Sequence, residues 1–329
     1  MAKRIPVSIL TGFLGSGKTT LVNEILSTKQ EERIAVIVNE FGKVGIDQQL
    51  VIGTEEDIFE LNNGCLCCKV RTDLINTLYA LIQAVEEKGH TPFDRVLIET
   101  SGLAEPAPIA QSFFVDPELS EVYHLDTIVT VIDSYHFLKH VQSHEEVRKQ
   151  VAFADQFILN KTDLVSKVTM DQVKKKLNAM NPEAQIQTTL YSKADLRPLF
   201  NHFSFDMGEK RLSKKMNVDV AHSHDEDISS ILLKSENDMD LQAFEQWFNR
   251  IVDEKGEQMY RYKGILSIEG FPKRVVFQGV HMLFGGVVGS PWKTGESRIS
   301  EFVIIGKDLD YDWFQSQFIF CESKKINIQ

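Results

Sequence analysis

Short apolar runs alternate with helix-period segments through the first half of the chain. Ile5 to Leu10, Ile34 to Val38, Arg95 to Ile98, Thr127 to Ile132 and Gln156 to Leu159 are short, mostly apolar runs that lack strict apolar–polar alternation. Between them, Thr19 to Thr28 and Thr72 to Glu87 repeat apolar residues three and four apart, and Met170 to Met180 stops at Asn181-Pro182. Strands lacking period-two alternation are covered on both faces, and strands separated by helices make a parallel sheet. The prediction is an α/β layer structure.

The pattern then changes. From about 210 to 227 the chain is polar, running through Lys214, Lys215 and Ala221-His-Ser-His-Asp-Glu-Asp227. Beyond it, Ile228 to Lys234 reads as a strand and Asp240 to Glu254 as an amphipathic helix. Three strands follow near 259–269, 274–284 and 299–306, then a helix from about Trp313. The expected organisation is a domain at 1–209, a linker at 210–227, and a small α+β domain at 228–329.

Composition adds exclusions. The chain has 329 residues, 43% hydrophobic, and a net charge of -11, which disfavours gripping nucleic acid or an anionic membrane as its main work. No apolar run reaches the length of a membrane span, and no secretory segment is visible. A cytoplasmic location is the expectation. The 4 cysteines do not look like a disulfide framework, because Cys65, Cys67 and Cys68 cluster while Cys321 stands far away. Cys321 is expected in a core.

Gly12-Phe-Leu-Gly15-Ser16-Gly17-Lys18-Thr19-Thr20 fits the P-loop pattern, between a predicted strand and a predicted helix. Its glycines let successive N–H groups face a phosphate at a helix N-terminus. Lys18 is placed for the β- and γ-phosphates, and the Thr19 hydroxyl for Mg²⁺. Asn160-Lys161-Thr162-Asp163 ends a strand and resembles a guanine-reading motif, with the Asp163 carboxylate accepting from the base. Glu99 ends another strand and is a candidate to orient water on Mg²⁺, with the Gly102 N–H as a γ-phosphate sensor. Asn39-Glu-Phe-Gly42 to Asp47 is a candidate switch, Asp47 reaching Mg²⁺ or the attacking water. No glutamine stands in a Ras-like water-positioning place, so slow hydrolysis is expected.

Asn62-Asn-Gly-Cys65-Leu-Cys67-Cys68 brings three soft ligands beside these segments, suited to Zn²⁺ or another transition ion. Buried packing or redox sensing are its other readings. His136, His140 and His144 share one face if their segment is helical, and a solvated face is the favoured reading over metal binding. His222 and His224 sit in the acidic linker, a poor place to hold a cation.

Together these motifs resemble the CobW-type P-loop GTPases, the YjiA-like branch in particular, relatives of the GTPases that mature urease and hydrogenase. Thr11-Gly-Phe-Leu-Gly-Ser-Gly-Lys-Thr-Thr20, Asn63-Gly-Cys-Leu-Cys-Cys68, Glu99-Thr-Ser-Gly-Leu-Ala-Glu-Pro106 and Asn160-Lys-Thr-Asp163 carry the likeness, with Arg261-Tyr-Lys-Gly264 and Gln278-Gly-Val-His281 further on. The resemblance implies a P-loop NTPase domain with a mostly parallel sheet and a CobW C-terminal domain. It implies a metallochaperone using GTP, Mg²⁺ and Zn²⁺ or a similar ion, serving a client metalloprotein. Dimers are common among the relatives, which keeps a homodimer open. Two departures stand out: Lys43 follows Phe-Gly where many members carry an acid, and the inter-domain histidines shrink to His222-Ser-His224. The competing readings are a small-molecule P-loop kinase and a non-enzymatic metal or redox sensor.

Overall fold

The computed structural model describes residues 4–28, 33–39, 48–52, 58–61, 69–88, 93–189, 199–200 and 228–323. Asp47, Cys65, Cys67, Cys68, His222, His224 and the 210–227 segment lie outside the described residues. The chain divides into two compact units, Met1–Leu177 with Ala184–Asp206, and Asn178–Glu183 with Met207–Gln329.

The first unit runs β1 (Ile5–Thr11), α1 (Lys18–Thr28), β2 (Ile34–Asn39), β3 (Gln48–Ile52), β4 (Ile58–Leu61), α2 (Lys69–Lys88), β5 (Arg95–Thr100), α3 (Pro106–Val115), α4 (Pro117–Val122), β6 (Tyr123–Asp133), α5 (Phe137–Ser143), α6 (Glu145–Phe153), β7 (Gln156–Asn160), α7 (Lys167–Met180) and β8 (Gln185–Thr188). The sheet order is β4-β3-β2-β5-β1-β6-β7-β8. From β2 to β8 in that order every neighbouring pair is parallel, while β3 and β4 add an antiparallel edge. The parallel prediction thus holds for the centre, and the edge hairpin and α3 to α6 are additions. β5 and β7 are buried at every position, the mark of strands covered on both faces.

A fully buried ion pair sits inside this layer. The Arg95 guanidinium meets the Asp126 carboxylate at 2.8 Å, both side chains 0% exposed. It also donates to Ser8 Oγ and lies over the Phe200 ring, 4.5 Å from its centroid. The pair ties β5 to the chain two strands away, since β1 lies between β5 and β6.

The second unit runs β9 (Ser229–Ser235), α8 (Leu241–Lys255), β10 (Met259–Ser267), β11 (Lys273–Val280), β12 (Leu283–Pro291), β13 (Ser300–Gly306) and α9 (Tyr311–Ile319). Its antiparallel sheet has the order β12-β11-β10-β13-β9. The sequence reading of one strand over 274–284 is corrected: a turn at His281-Met282 divides it, and the second half runs on as β12. Asp240 caps α8 by accepting from the Ala243 N–H, and Asp310 caps α9 by accepting from the Trp313 N–H. Phe244, Phe248, Phe302, Phe314 and Phe318 fill the core. Cys321 is buried just past α9, and burial pushes its thiol up to about 12.

Candidate functional site

Parallel strands deliver their C-terminal ends to one edge of the sheet, where ligands bind in such folds. Register places Leu10 beside Glu99, Thr11 beside Thr130, and Asp133 beside Asn160. A hydrogen bond of 2.9 Å between the hydroxyls of Thr100 and Thr11 joins the ends of β5 and β1.

The loop after β1 turns through three glycines with positive φ, Gly12 at 142°, Gly15 at 72° and Gly17 at 105°. Side chains do not adopt such angles cheaply, and at Gly12 a Cβ would also collide with the Val131 carbonyl. The loop therefore needs glycine for its shape, and that shape turns backbone N–H groups toward an anion. The Lys18 ammonium is buried and donates to the Gly12 carbonyl at 2.9 Å and the Phe13 carbonyl at 3.3 Å. The Ser16 hydroxyl is buried and meets no hydrogen-bond partner among the described residues. A buried cation, an unused hydroxyl and a glycine cradle suit a phosphate chain. Thr20 follows on the first turn of α1 and is exposed.

Thr19 Oγ1 donates to Glu99 Oε1 at 2.9 Å, and Glu99 is buried. Two hard oxygen donors at the foot of a phosphate cradle are the donor set Mg²⁺ takes. The candidate residues Lys18, Thr19 and Glu99 are thus brought together.

Asn160 Nδ2 donates to the Ser16 carbonyl at 2.9 Å, joining the end of β7 to the phosphate loop. Lys161 adopts φ 57° and its ammonium reaches Asp133 Oδ2 at 2.8 Å. Thr162 Oγ1 donates to the Thr189 carbonyl, and Asp163 is exposed on the short 3-10 turn that follows. An exposed acid here is open to a base from solvent. His136 Nδ1 shares Asp133 Oδ2 at 3.0 Å. Burial opposes the Asp133 charge, but the Lys161 and His136 hydrogen bonds outweigh it and hold its carboxyl below the usual carboxylate range.

The solvated-face reading of the three histidines holds for His136, which is exposed, while His140 and His144 are half-buried. Only His140 lies within α5, and His136 and His144 cap it. The His136 and His140 rings stack with centroids 5.3 Å apart, and both His140 and His144 pack on Phe13 of the phosphate loop, at 4.8 and 4.6 Å. Burial, and then the neighbouring His136 and His144, lowers the His140 pKa. Among the described residues no group of three His, Cys, Asp or Glu side chains is set to hold a metal ion.

Gly102 lies against the phosphate loop, where a Cβ would stand 2.6 Å from the Leu14 nitrogen. Gln150, which motif reading passes over, donates from Nε2 to the Gly102 and Ala104 carbonyls at 3.0 and 3.2 Å. No sequence signal marks it, because it sits on an ordinary amphipathic helix. The segment 62–68, with its three cysteines, connects β4 to α2.

Residues 6–188 match the family described as CobW/HypB/UreG, nucleotide-binding domain, and residues 228–322 match the cobalamin synthesis protein cobW C-terminal domain. The chain belongs to the CobW family. The zinc chaperone YjiA of Escherichia coli K12 is 35% identical over 314 residues, 95% of this chain and 98% of that protein. The zinc-regulated GTPase metalloprotein activator 1 of Saccharomyces cerevisiae is 30% identical, over 94% of this chain and 81% of its own. The crystal structure of the Zn(II)-bound YjiA GTPase superimposes with a TM-score of 0.78 at 31% identity, covering 98% of this CobW chain and 100% of that one. No helix among the described residues is long and apolar enough to cross a membrane.

Proposed function

We propose that this chain is a GTPase that couples nucleotide state to the handling of zinc for a client metalloprotein. The observation that carries the nucleotide half is the Asn160 amide bonded to the Ser16 carbonyl, which makes the base motif and the phosphate loop one site. Support for zinc comes from the relatives named zinc chaperone and zinc-regulated GTPase, similar over 95% and 94% of this chain. The metal is cargo: the soft ligands Cys65, Cys67 and Cys68 are its proposed seat.

In this reading, Gly12, Gly15, Ser16, Gly17, Lys18 and Thr20 hold the phosphates, and Asn160, Lys161 and Asp163 select guanine. Mg²⁺ would be held by Thr19 and, through water, by Glu99, where it neutralises phosphate charge when bound. Lys18 leaves its two loop carbonyls to meet the β- and γ-oxygens, exchanging neutral acceptors for charged ones. The Gly102 N–H meets the γ-phosphate, and Asp47 orients water. An Asp163 carboxylate accepts from guanine N1–H and its exocyclic amine, a pair of donors adenine lacks. The assembly is proposed as a homodimer, which sedimentation of the loaded protein tests.

Coupling is reciprocal, so nucleotide must shift metal affinity as metal shifts nucleotide affinity. Calorimetry of Zn²⁺ binding with GTP analogue, with GDP and without nucleotide tests it. Equal affinities in all three end the coupling reading, and intact metal binding in Cys67→Ala ends the cysteine assignment. Preference for ATP over GTP ends the guanine assignment.

A further inference from the structure

We propose that Gln150 is a positioning residue for GTP hydrolysis: from α6 it sets the Ser101–Glu105 loop that follows Glu99. The proposal rests on the reading above that Gly102 meets the γ-phosphate.

The geometry is specific. Gln150 is 1% exposed, and one amide nitrogen serves two carbonyls, those of Gly102 and Ala104. Both amide protons are used, and Leu103 between the two carbonyls is turned outward, 45% exposed. The acceptors lie 48 and 46 residues away in sequence, so the contact does nothing for the helix itself. A side chain with one donor cannot hold both carbonyls. A carboxylate at this point would face two carbonyl oxygens with no proton to offer.

Two neighbours make the amide a fixed post. Thr130 Oγ1 donates to the Gln150 backbone carbonyl at 2.9 Å, pinning α6 to β6, the neighbour of β1. Lys149 reaches Glu105 Oε1 at 2.6 Å, a second clasp at the far end of the same loop. On its other side the loop touches the phosphate loop at Gly102, with no room for a Cβ. The loop is thus held between Leu14 and Gln150. Its distance from the phosphate cradle is set by an amide that need not touch the nucleotide. Because only the triphosphate reaches this loop, loss of the amide should spare GDP.

The test uses the full-length protein and Gln150→Met, which keeps an unbranched side chain and removes the donors. The expected result is GDP affinity within about twofold of wild type, with kcat and affinity for a non-hydrolysable GTP analogue each lowered about tenfold or more. Hydrogen exchange reads the loop directly. In wild type the amides of 102–105 should exchange more slowly with analogue than with GDP, and in Gln150→Met this difference should vanish. If wild type shows the difference and the variant keeps it with unchanged kcat, Gln150 does not position the loop. If GDP and analogue affinities fall together, its role is structural and the proposal is overturned. If wild type shows no difference, the γ-phosphate reading of Gly102 itself fails and takes this proposal with it. Should Gln150→Met not fold, Gln150→Asn keeps the amide but withdraws it by one methylene, and the same outcomes decide.

Discussion

Asp126→Asn removes a charge from the driest place in the sheet while keeping the side chain's shape. The Arg95 guanidinium, 2.8 Å away with both partners 0% exposed, then faces a neutral amide in place of a carboxylate. Ser8 Oγ and the face of Phe200 are among the contacts that remain beside it. Breaking a buried pair from one side costs about 3–5 kcal/mol, because the Arg95 charge loses the carboxylate it meets at 2.8 Å. Typical domain stabilities are about 5–15 kcal/mol, so the variant should lose about a fifth or more of the first unit's stability. With a urea slope of about 2–3 kcal/mol/M, the far-UV circular dichroism midpoint should fall by roughly 1–2.5 M. The double variant Arg95→Met with Asp126→Leu should recover most of that loss, since an apolar pair has no charge to desolvate. A midpoint for Asp126→Asn within about 0.3 M of wild type, or a double variant as weak as the single, would refute the reasoning. Function is tied to the outcome, because Arg95 opens β5 and Glu99 lies near its other end.

Three other outcomes follow from the geometry. Gly102→Ala places a Cβ 2.6 Å from Leu14 N, about 0.8 Å short of the 3.4 Å at which ordinary contact begins. Overpacking of about 1–3 kcal/mol should lower the stability of the first unit by about that amount; urea unfolding checks it, and an unchanged midpoint refutes it. The Cys321 thiol, pushed up to about 12 by burial, should resist iodoacetamide at about pH 8 in the native protein and react once unfolded, read by peptide mass spectrometry. His140 has a lowered pKa, so the folded protein takes its proton less readily than the unfolded chain. Stability present above about pH 6.5 is therefore lost as pH falls below that value through the lowered pKa of the folded state. His140→Asn should shrink the drop in Tm between about pH 7.5 and 5.5, and an unchanged drop would sink this account.

What was legible in the sequence was whatever residue type alone demands. The phosphate loop needs glycine where φ is positive, so Gly12, Gly15 and Gly17 announce it. The central strands are buried on both faces, so Ile9, Ile98 and Ile158 fall in mostly apolar runs without strict alternation. β12 was hidden because Gly285, Gly286 and Gly289 lower its strand signal. The turn before it was hidden too, because it carries His281 at φ 52° in place of a glycine or asparagine. Tyr262 holds that turn from another strand, its hydroxyl donating to the His281 and Leu283 carbonyls. Contacts made at long range leave no local mark. The spacing of His136, His140 and His144 was visible, but the packing of His140 and His144 on Phe13 was not. Gln150 was invisible for the same reason: a glutamine on a helix becomes notable only when the loop it serves arrives from 48 residues away.

The bond from Asn160 to the Ser16 carbonyl has a metric consequence. It fixes the span between the place that reads a base and the place that grips phosphates, as the jaws of a caliper are fixed by a locking screw. A ligand is then measured as well as recognised. A guanine with too few phosphates fills one jaw, and an inorganic phosphate chain fills the other. Only a molecule whose base and phosphates are a ribose apart closes on both, and guanosine and pyrophosphate offered together should bind far more weakly than GDP.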